Sequence, residues 1–506
     1  MNKTPTTRPH PLGKRSLRLL WDAHSAVGLL LAPLMLVVFT TGILLPWHHT
    51  LEAWGEGPAR RGPESASLAR VLDPVPRDTF EWVEVHAPLG PTGMALVEFH
   101  HHEEDPTELW VDGSTGQAHP RRSDLIGQIY GLHFFHQLPG GIYVAGVLGL
   151  LIFSAVLSGI GVHLRDLFRR FGRVRTKPER ARRADWHTLL GTLLAVPLAI
   201  LAITGALLGL ANPLAGAHLL KTFDGDQTEA FRQMGYDWPV PVGEQSSDWA
   251  DPQVPALVQA AQAEIPGLDL HWMGIRHIGA EDTAALVYGI QPGWVELGAQ
   301  VDLSVADRQV LRVSERSLDL PATVVNRWGI AAHFGNWGPG AVGGAIVQWA
   351  YVLVALGCVG LGAFGVSLWA KTQKPSGLRR GVTGTTVFST AGLFAAMSLG
   401  LASRQLGELG GLELPWLDSA VLYGAWVASG VLIVVKRAGR SAVWLLGVSA
   451  GALVLAGVLS AFAVPESSWS LAVGRPMLLA VDLSLLLGAV CCAALAWALN
   501  RRLEVA

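Results

Sequence analysis

Charge is what this sequence has least of. Only 15% of its 506 residues are Asp, Glu, Lys or Arg, against roughly 25% in a soluble globular chain. The deficit is concentrated in long uncharged runs, the pattern of a chain that crosses a membrane and contacts its lipid. Net charge is −2, so no overall basic field invites nucleic acid, which is excluded as a partner. Cysteine is nearly absent: Cys358, Cys491 and Cys492 all lie in apolar stretches. None can staple a polar loop, and no Cys-x-x-Cys-His exists to attach a haem covalently, so any haem is held non-covalently. No Gly-x-Gly-x-x-Gly follows a strand, so no internal flavin or NAD(P)H domain is expected. Histidine, finally, is missing from the last 173 residues, although the chain has 17.

What is present is apolar length. A span needs about 20 mainly apolar residues, and eight segments qualify: roughly 20–46, 141–163, 188–210, 341–369, 382–402, 418–435, 442–463 and 476–499. The first follows Lys14, Arg15 and Arg18, but its apolar run from Val27 to Trp47 is too long for a cleaved leader and reads as a retained span. Short-loop charge sets orientation. Residues 164–187 carry nine Arg/Lys, and Lys371, Lys374, Arg379, Arg380, Lys436, Arg437, Arg440, Arg501 and Arg502 follow later spans. All fall on one side if the N-terminus is cytoplasmic. The long segments 47–140 and 211–340 then face outwards; 47–132 has 14 acidic and six basic residues, and 211–332 has 16 and seven. Alternating runs such as Leu109–Asp112 and Leu297–Leu303 make each an expected small α+β module.

Spans one and three repeat each other. Trp21-Asp22-Ala23-His24 with Gly28 parallels Asp185-Trp186-His187 with Gly191, and Thr41-Gly42 parallels Thr204-Gly205, with 17 residues from His to Thr in both copies. Spans two and four repeat more weakly, as Leu132-His133-Phe134 and Ala332-His333-Phe334. Two helix-loop-helix units of like orientation imply a pseudo-two-fold axis along the membrane normal. Six histidines fall near span ends: His24, His163 and His187 towards the cytoplasmic side, His133, His136 and His333 towards the outer side. Neutral imidazole is a good axial ligand for haem iron, and Gly28 and Gly191, one turn from their histidines, leave bare backbone for a flat macrocycle to approach. A lone histidine at a span end also serves as an interfacial anchor, which stays open for His163 and His136. His100, His101 and His102, beside Glu103, Glu104 and Asp105, form a separate weak candidate for a transition metal. Asp482 in the last span could pair with Arg475.

The His-x3-Gly…Thr-Gly spans, the Leu109-Trp110-Val111-Asp112-Gly113-Ser114-Thr115-Gly116 strand-and-turn signature and the paired His-Phe motifs together resemble the PepSY-associated transmembrane family, over residues 15–371 or so. That family includes iron-uptake-associated membrane proteins and ferrisiderophore reductases. The resemblance implies a mainly α polytopic protein of the bacterial inner membrane. Its core would be a four-helix haem-binding bundle of two helix-loop-helix units, with two extracytoplasmic PepSY-like modules. Two haem b groups are implied, with His24 and His187 as cytoplasmic-side ligands and His133 and His333 as outer-side ligands; His163 and His136 are the runners-up. The expected parts are 1–46 (N-terminus and first span), 47–140 and 211–340 (modules), 141–210 (spans two and three with the basic loop), 341–371 (span four) and 382–506, about four further spans outside the family pattern. The implied activity is ferric, or ferrisiderophore, reduction in iron acquisition, with a quinol or a partner reductase as electron donor and a periplasmic ferric complex as acceptor. A ferric-siderophore transporter, and a non-enzymatic sensor or anchor, are the alternatives.

Overall fold

The computed structural model describes residues 13–504 except 56–67, 78–79, 87–93, 102–105, 114, 121–122, 165–173, 227–243, 292–296, 315–320, 336, 338–339, 411–413, 415 and 464–475. The first apolar run forms two helices, α1 (Lys14–Leu30) and α2 (Ala32–Thr41), bent by 63° across the break between them. The unbroken span expected over 20–46 is therefore kinked. Pro33 is the cause: its ring has no N–H to donate and crowds the carbonyl one turn back. α3 (His48–Gly55) follows, then strands β1 (Trp82–His86), β2 (Met94–His100), β3 (Thr107–Asp112) and β4 (Ala118–Pro120). A short helix α4 (Leu125–His133) leads into the spanning helix α5 (Gly141–His163). The second unit repeats this plan. α6 (Glu179–Gly209) spans and α7 (Ala211–Phe223) and α8 (Val254–Glu264) follow, with β5 (Asp269–Arg276), β6 (Ala284–Gln291), β7 (Leu297–Ser304) and β8 (Val310–Ser314) after them. Short α9 (Pro321–Phe334) then leads into spanning α10 (Gly340–Thr372).

The rear region has α11 (Gly377–Val387), a π-helical turn over Phe388–Gly392, then α12 (Leu393–Gly410), α13 (Leu417–Lys436), α14 (Ala438–Ala463) and α15 (Pro476–Glu504). Among the described residues seven helices are long and apolar enough to cross a membrane, or eight with the bent pair counted as one span. This is a multi-pass membrane protein. α5 packs along α6 where small residues let the backbones meet: a Cβ on Gly149 would lie 2.7 Å from the Ala202 carbonyl oxygen, and one on Gly209 would lie 2.6 Å from the Gly146 Cα. Apolar side chains gain little by leaving lipid for one another, so such close van der Waals approach is what holds the pair.

The two polar segments do not build two sheets. Each contributes four strands to one antiparallel sheet of order β4-β3-β2-β1-β5-β6-β7-β8. The join is β1 against β5, with Val83 opposite Ile275 and Val85 opposite Met273. A four-stranded edge carries unpaired N–H and C=O groups, and here each module's edge covers the other's. Period-two alternation sends Val83, Val85, Val97, Met273, Ile275, Val287 and Val301 into one core under Leu257 and Ala261 of α8. Burying each such side chain contributes roughly 1.5–3 kcal/mol. The opposite face carries the alternates, among them Trp82, Glu84, His86, Glu98 and Trp110.

Candidate histidine centres

The structure brings the four repeat-matched histidines together in two pairs. His24 of α1 meets His187 of α6 with ring centroids 6.1 Å apart and planes at 70°. His133, at the end of α4, meets His333, at the end of α9, at 6.3 Å and 62°. The second pair lies where the sheet-bearing segments join the bundle, and the first at the end that carries the basic loop. His133 and His333 thus sit on short helices preceding their spans. Each such helix stops in a left-handed turn, with positive φ at Phe135 and Gly140 in one copy and at Gly335 in the other. At Gly141 any side chain is excluded, since a Cβ would fall 1.8 Å from the Phe135 carbonyl oxygen.

Each ring is held at Nδ1. His24 Nδ1 donates to the Ala155 carbonyl at 2.8 Å, and His187 Nδ1 to the Leu361 carbonyl at 3.1 Å. Thr41 Oγ1 donates its one proton back to a helix carbonyl, Val37 or Val38, and so accepts from His133 Nδ1 at 3.1 Å. Thr204 Oγ1 likewise donates to Ile200 and accepts from His333 Nδ1 at 3.0 Å. With the proton fixed on Nδ1, the lone pair of all four rings is on Nε2, the tautomer that binds a metal. The spacing agrees with that use. Two metal–nitrogen bonds of about 2 Å each, plus about 1 Å from each nitrogen to its ring centre, put two imidazoles on one ion about 6 Å apart.

A glycine faces each ring. A Cβ on Gly159 would lie 3.0 Å from His24 Cε1, on Gly365 3.1 Å from His187 Cε1, on Gly205 3.0 Å from His333 Cε1 and on Gly42 3.5 Å from His133 Cε1. The repeated Thr-Gly therefore has a job at each residue: the threonine orients the histidine and the glycine makes room for it. Gly159 and Gly365, each four residues beyond the carbonyl that holds the ring, escaped sequence reasoning because glycine is common in these spans. Gly28 and Gly191 do not face a histidine. A Cβ at Gly28 meets nothing within 4 Å, and one at Gly191 makes ordinary contact with Leu361. His163 ends α5 close enough to His187 to interact with it electrostatically, but outside the pair. His136 is exposed, with its ring against Phe134.

The histidine triplet divides between the two faces of the sheet. His100 stacks on Trp82, 4.2 Å between centroids, whereas His101 packs against Phe80 at 4.7 Å. His102, Glu103, Glu104 and Asp105 lie outside the described residues, as does Arg475. Asp482 instead accepts from Trp54 Nε1 of α3 at 2.9 Å. The first bundle and the rear helices are further tied by Thr40 Oγ1 donating to the Ser389 carbonyl at 3.1 Å, by Arg404 donating to the Gly55 carbonyl at 2.6 Å, and by Ser123 donating to Asp418.

Compared with known proteins, residues 21–372 match the model of a family described as PepSY-associated TM region. No curated protein matches the chain.

Proposed function

The chain belongs to the PepSY-associated TM region family, and from that premise we propose that it is a b-type dihaem oxidoreductase of the bacterial inner membrane, passing electrons outward to a ferric complex such as a ferrisiderophore. The observation that carries this reading is the duplicated histidine pair, 6.1 and 6.3 Å between ring centres, with every Nδ1 already engaged. His24 with His187 would hold one haem and His133 with His333 the other; the ring-facing glycines and the open space at Gly28 suit a flat ligand. When bound, haem iron supplies reversible one-electron chemistry at a potential set by its axial ligands and their hydrogen bonds.

The protein's own share is positioning. Backbone carbonyls hold the imidazoles at the basic-loop end and threonine hydroxyls hold those at the sheet end. Such outer partners orient a ligand and raise its basicity. Two centres at opposite ends of one bundle let electrons cross where a charged ferric complex does not. Each Fe(III) reduced to Fe(II) takes one electron, supplied by a quinol or a partner reductase at the basic-loop end, which the charge asymmetry assigns to the cytoplasm together with the N-terminus. The test is a pyridine haemochrome assay on protein produced with haem supplied. Two haem b per chain is the expected result; protein that folds and carries none would leave the transporter or sensor readings instead.

A further inference from the structure

The face of the sheet turned away from α8 carries a second cluster of metal-ligating side chains, built from β1 and β2 rather than from the bundle. Strand register puts Glu84 of β1 directly opposite Glu98 of β2, and Glu98 directly opposite Glu108 of β3. Like charges directly opposite one another on paired strands repel, and a divalent cation set among these three would offset that repulsion. Two imidazoles flank the row. His86 Nε2 lies 3.3 Å from Glu84 Oε2 and 3.6 Å from Glu98 Oε1, and His100 Nε2 lies 3.7 Å from Glu98 Oε2. Both Nε2 atoms are buried, and among the described residues neither has a well-aligned hydrogen-bond partner.

We infer that Glu84, His86 and Glu98, with His100 beside them, form a binding site for one divalent first-row transition-metal ion on the face of the sheet turned away from α8. The donor atoms of Glu84, His86 and Glu98 all lie within 4.8 Å of one another. A tetrahedral ion with bonds of about 2.1 Å sets its donors about 3.4 Å apart, close to the two His86 distances. Two carboxylates and an imidazole suit zinc, manganese or iron rather than a soft ion that prefers thiolates. Glu84 is oriented for this: Trp82 Nε1 donates to its Oε1 at 3.0 Å, leaving Oε2 towards His86. The four side chains are between 17% and 29% exposed, enough for an ion to enter yet shielded from bulk water. Arg276 of β5, opposite Trp82 in register, places its guanidinium over the Trp82 ring, 5.6 Å from its centre. The candidate expected from sequence ran along the chain, His100 to His102; this one runs across strands and takes only His100 from that triplet.

The site stands apart from the haem reading, and its test is a binding measurement. Full-length protein in detergent, with its haem content fixed and stripped by a chelator, is dialysed against zinc ion and the retained metal counted. One tightly held zinc per chain is expected. Glu98→Gln and His86→Ala should each weaken it at least about tenfold, as losses around a metal site do, while Glu281→Gln, at an exposed position in the β5–β6 connection, should not. Added zinc should raise the melting temperature of the wild type but not of Glu98→Gln. Should Glu98→Gln fail to fold, Glu84→Gln carries the same test. Wild-type protein that holds no zinc, or variants that hold it as the wild type does, would overturn the site. So would zinc that disappears on His133→Ala but survives Glu98→Gln and His86→Ala, since the ion would then belong to the bundle.

Discussion

A ligating histidine almost always donates its other ring N–H to a partner, and at the sheet end that partner is a residue the repeat had already singled out without explaining. Thr41 and Thr204 accept from His133 and His333, so the Thr-Gly repeat becomes legible as a holder for an imidazole from another helix. Under the proposed function, His187→Ala should remove one haem and leave the other's spectrum, and His333→Ala should do the converse; absorption spectra of the two variants decide it. If both variants keep two haems, the pairing is wrong. Thr204→Val keeps the shape but removes the acceptor for Nδ1. It should lower affinity at the sheet-end centre about 10–100-fold and shift that centre's midpoint potential, with the basic-loop centre unmoved in a redox titration. Gly205→Leu should be harsher, because a Cβ there would already stand 3.0 Å from the His333 ring.

At the scale of elements, the rear helices show how a histidine-free region can matter to a histidine site. The π-helical turn over Phe388–Gly392 leaves carbonyls that ordinary helix bonds do not use. Trp426 Nε1 donates to that of Phe388 at 3.0 Å and Thr40 Oγ1 to that of Ser389 at 3.1 Å. Thr40 is the neighbour of Thr41, which holds His133. Among the described residues of 382–506, none makes a hydrogen bond to the four paired histidines, so the rear region is expected to buttress the centres rather than build them. A chain ending after residue 371 is expected to insert and keep both haems but to melt lower, since Trp54, Ser123 and Thr40 lose their partners. Thr40→Val alone should cost about 1 kcal/mol. A stable truncated chain without haem would show instead that α12 to α15 complete the site.

On the scale of the whole molecule, one sheet ties the two halves together. Because β1 pairs with β5 over five residues, the segments between the first and second, and the third and fourth, spans form one folding unit with one core. Met273→Pro should break that ladder, as proline removes a donor from a central strand. Limited proteolysis is expected to open both segments at once, although the substitution lies in only one. Cleavage confined to 244–314 would mean that the two modules stand independently.

The sequence alone showed the membrane class, the duplicated unit with histidines at equivalent positions, and the alternation within the strands. Each is a local or periodic property: span length, a 17-residue interval, a period of two. It could not settle how distant segments meet. That β1 lies beside β5, that Gly159 and Gly365 face imidazoles, that Asp482 answers Trp54 and that Glu84, His86 and Glu98 converge all depend on which surfaces pack together. The bend after Leu30 stands between these cases, for Pro33 is visible in the sequence but the 63° is not. Hydropathy needs only neighbours along the chain, whereas a site needs side chains from different strands or helices, and only tertiary packing brings those within reach of a single ion.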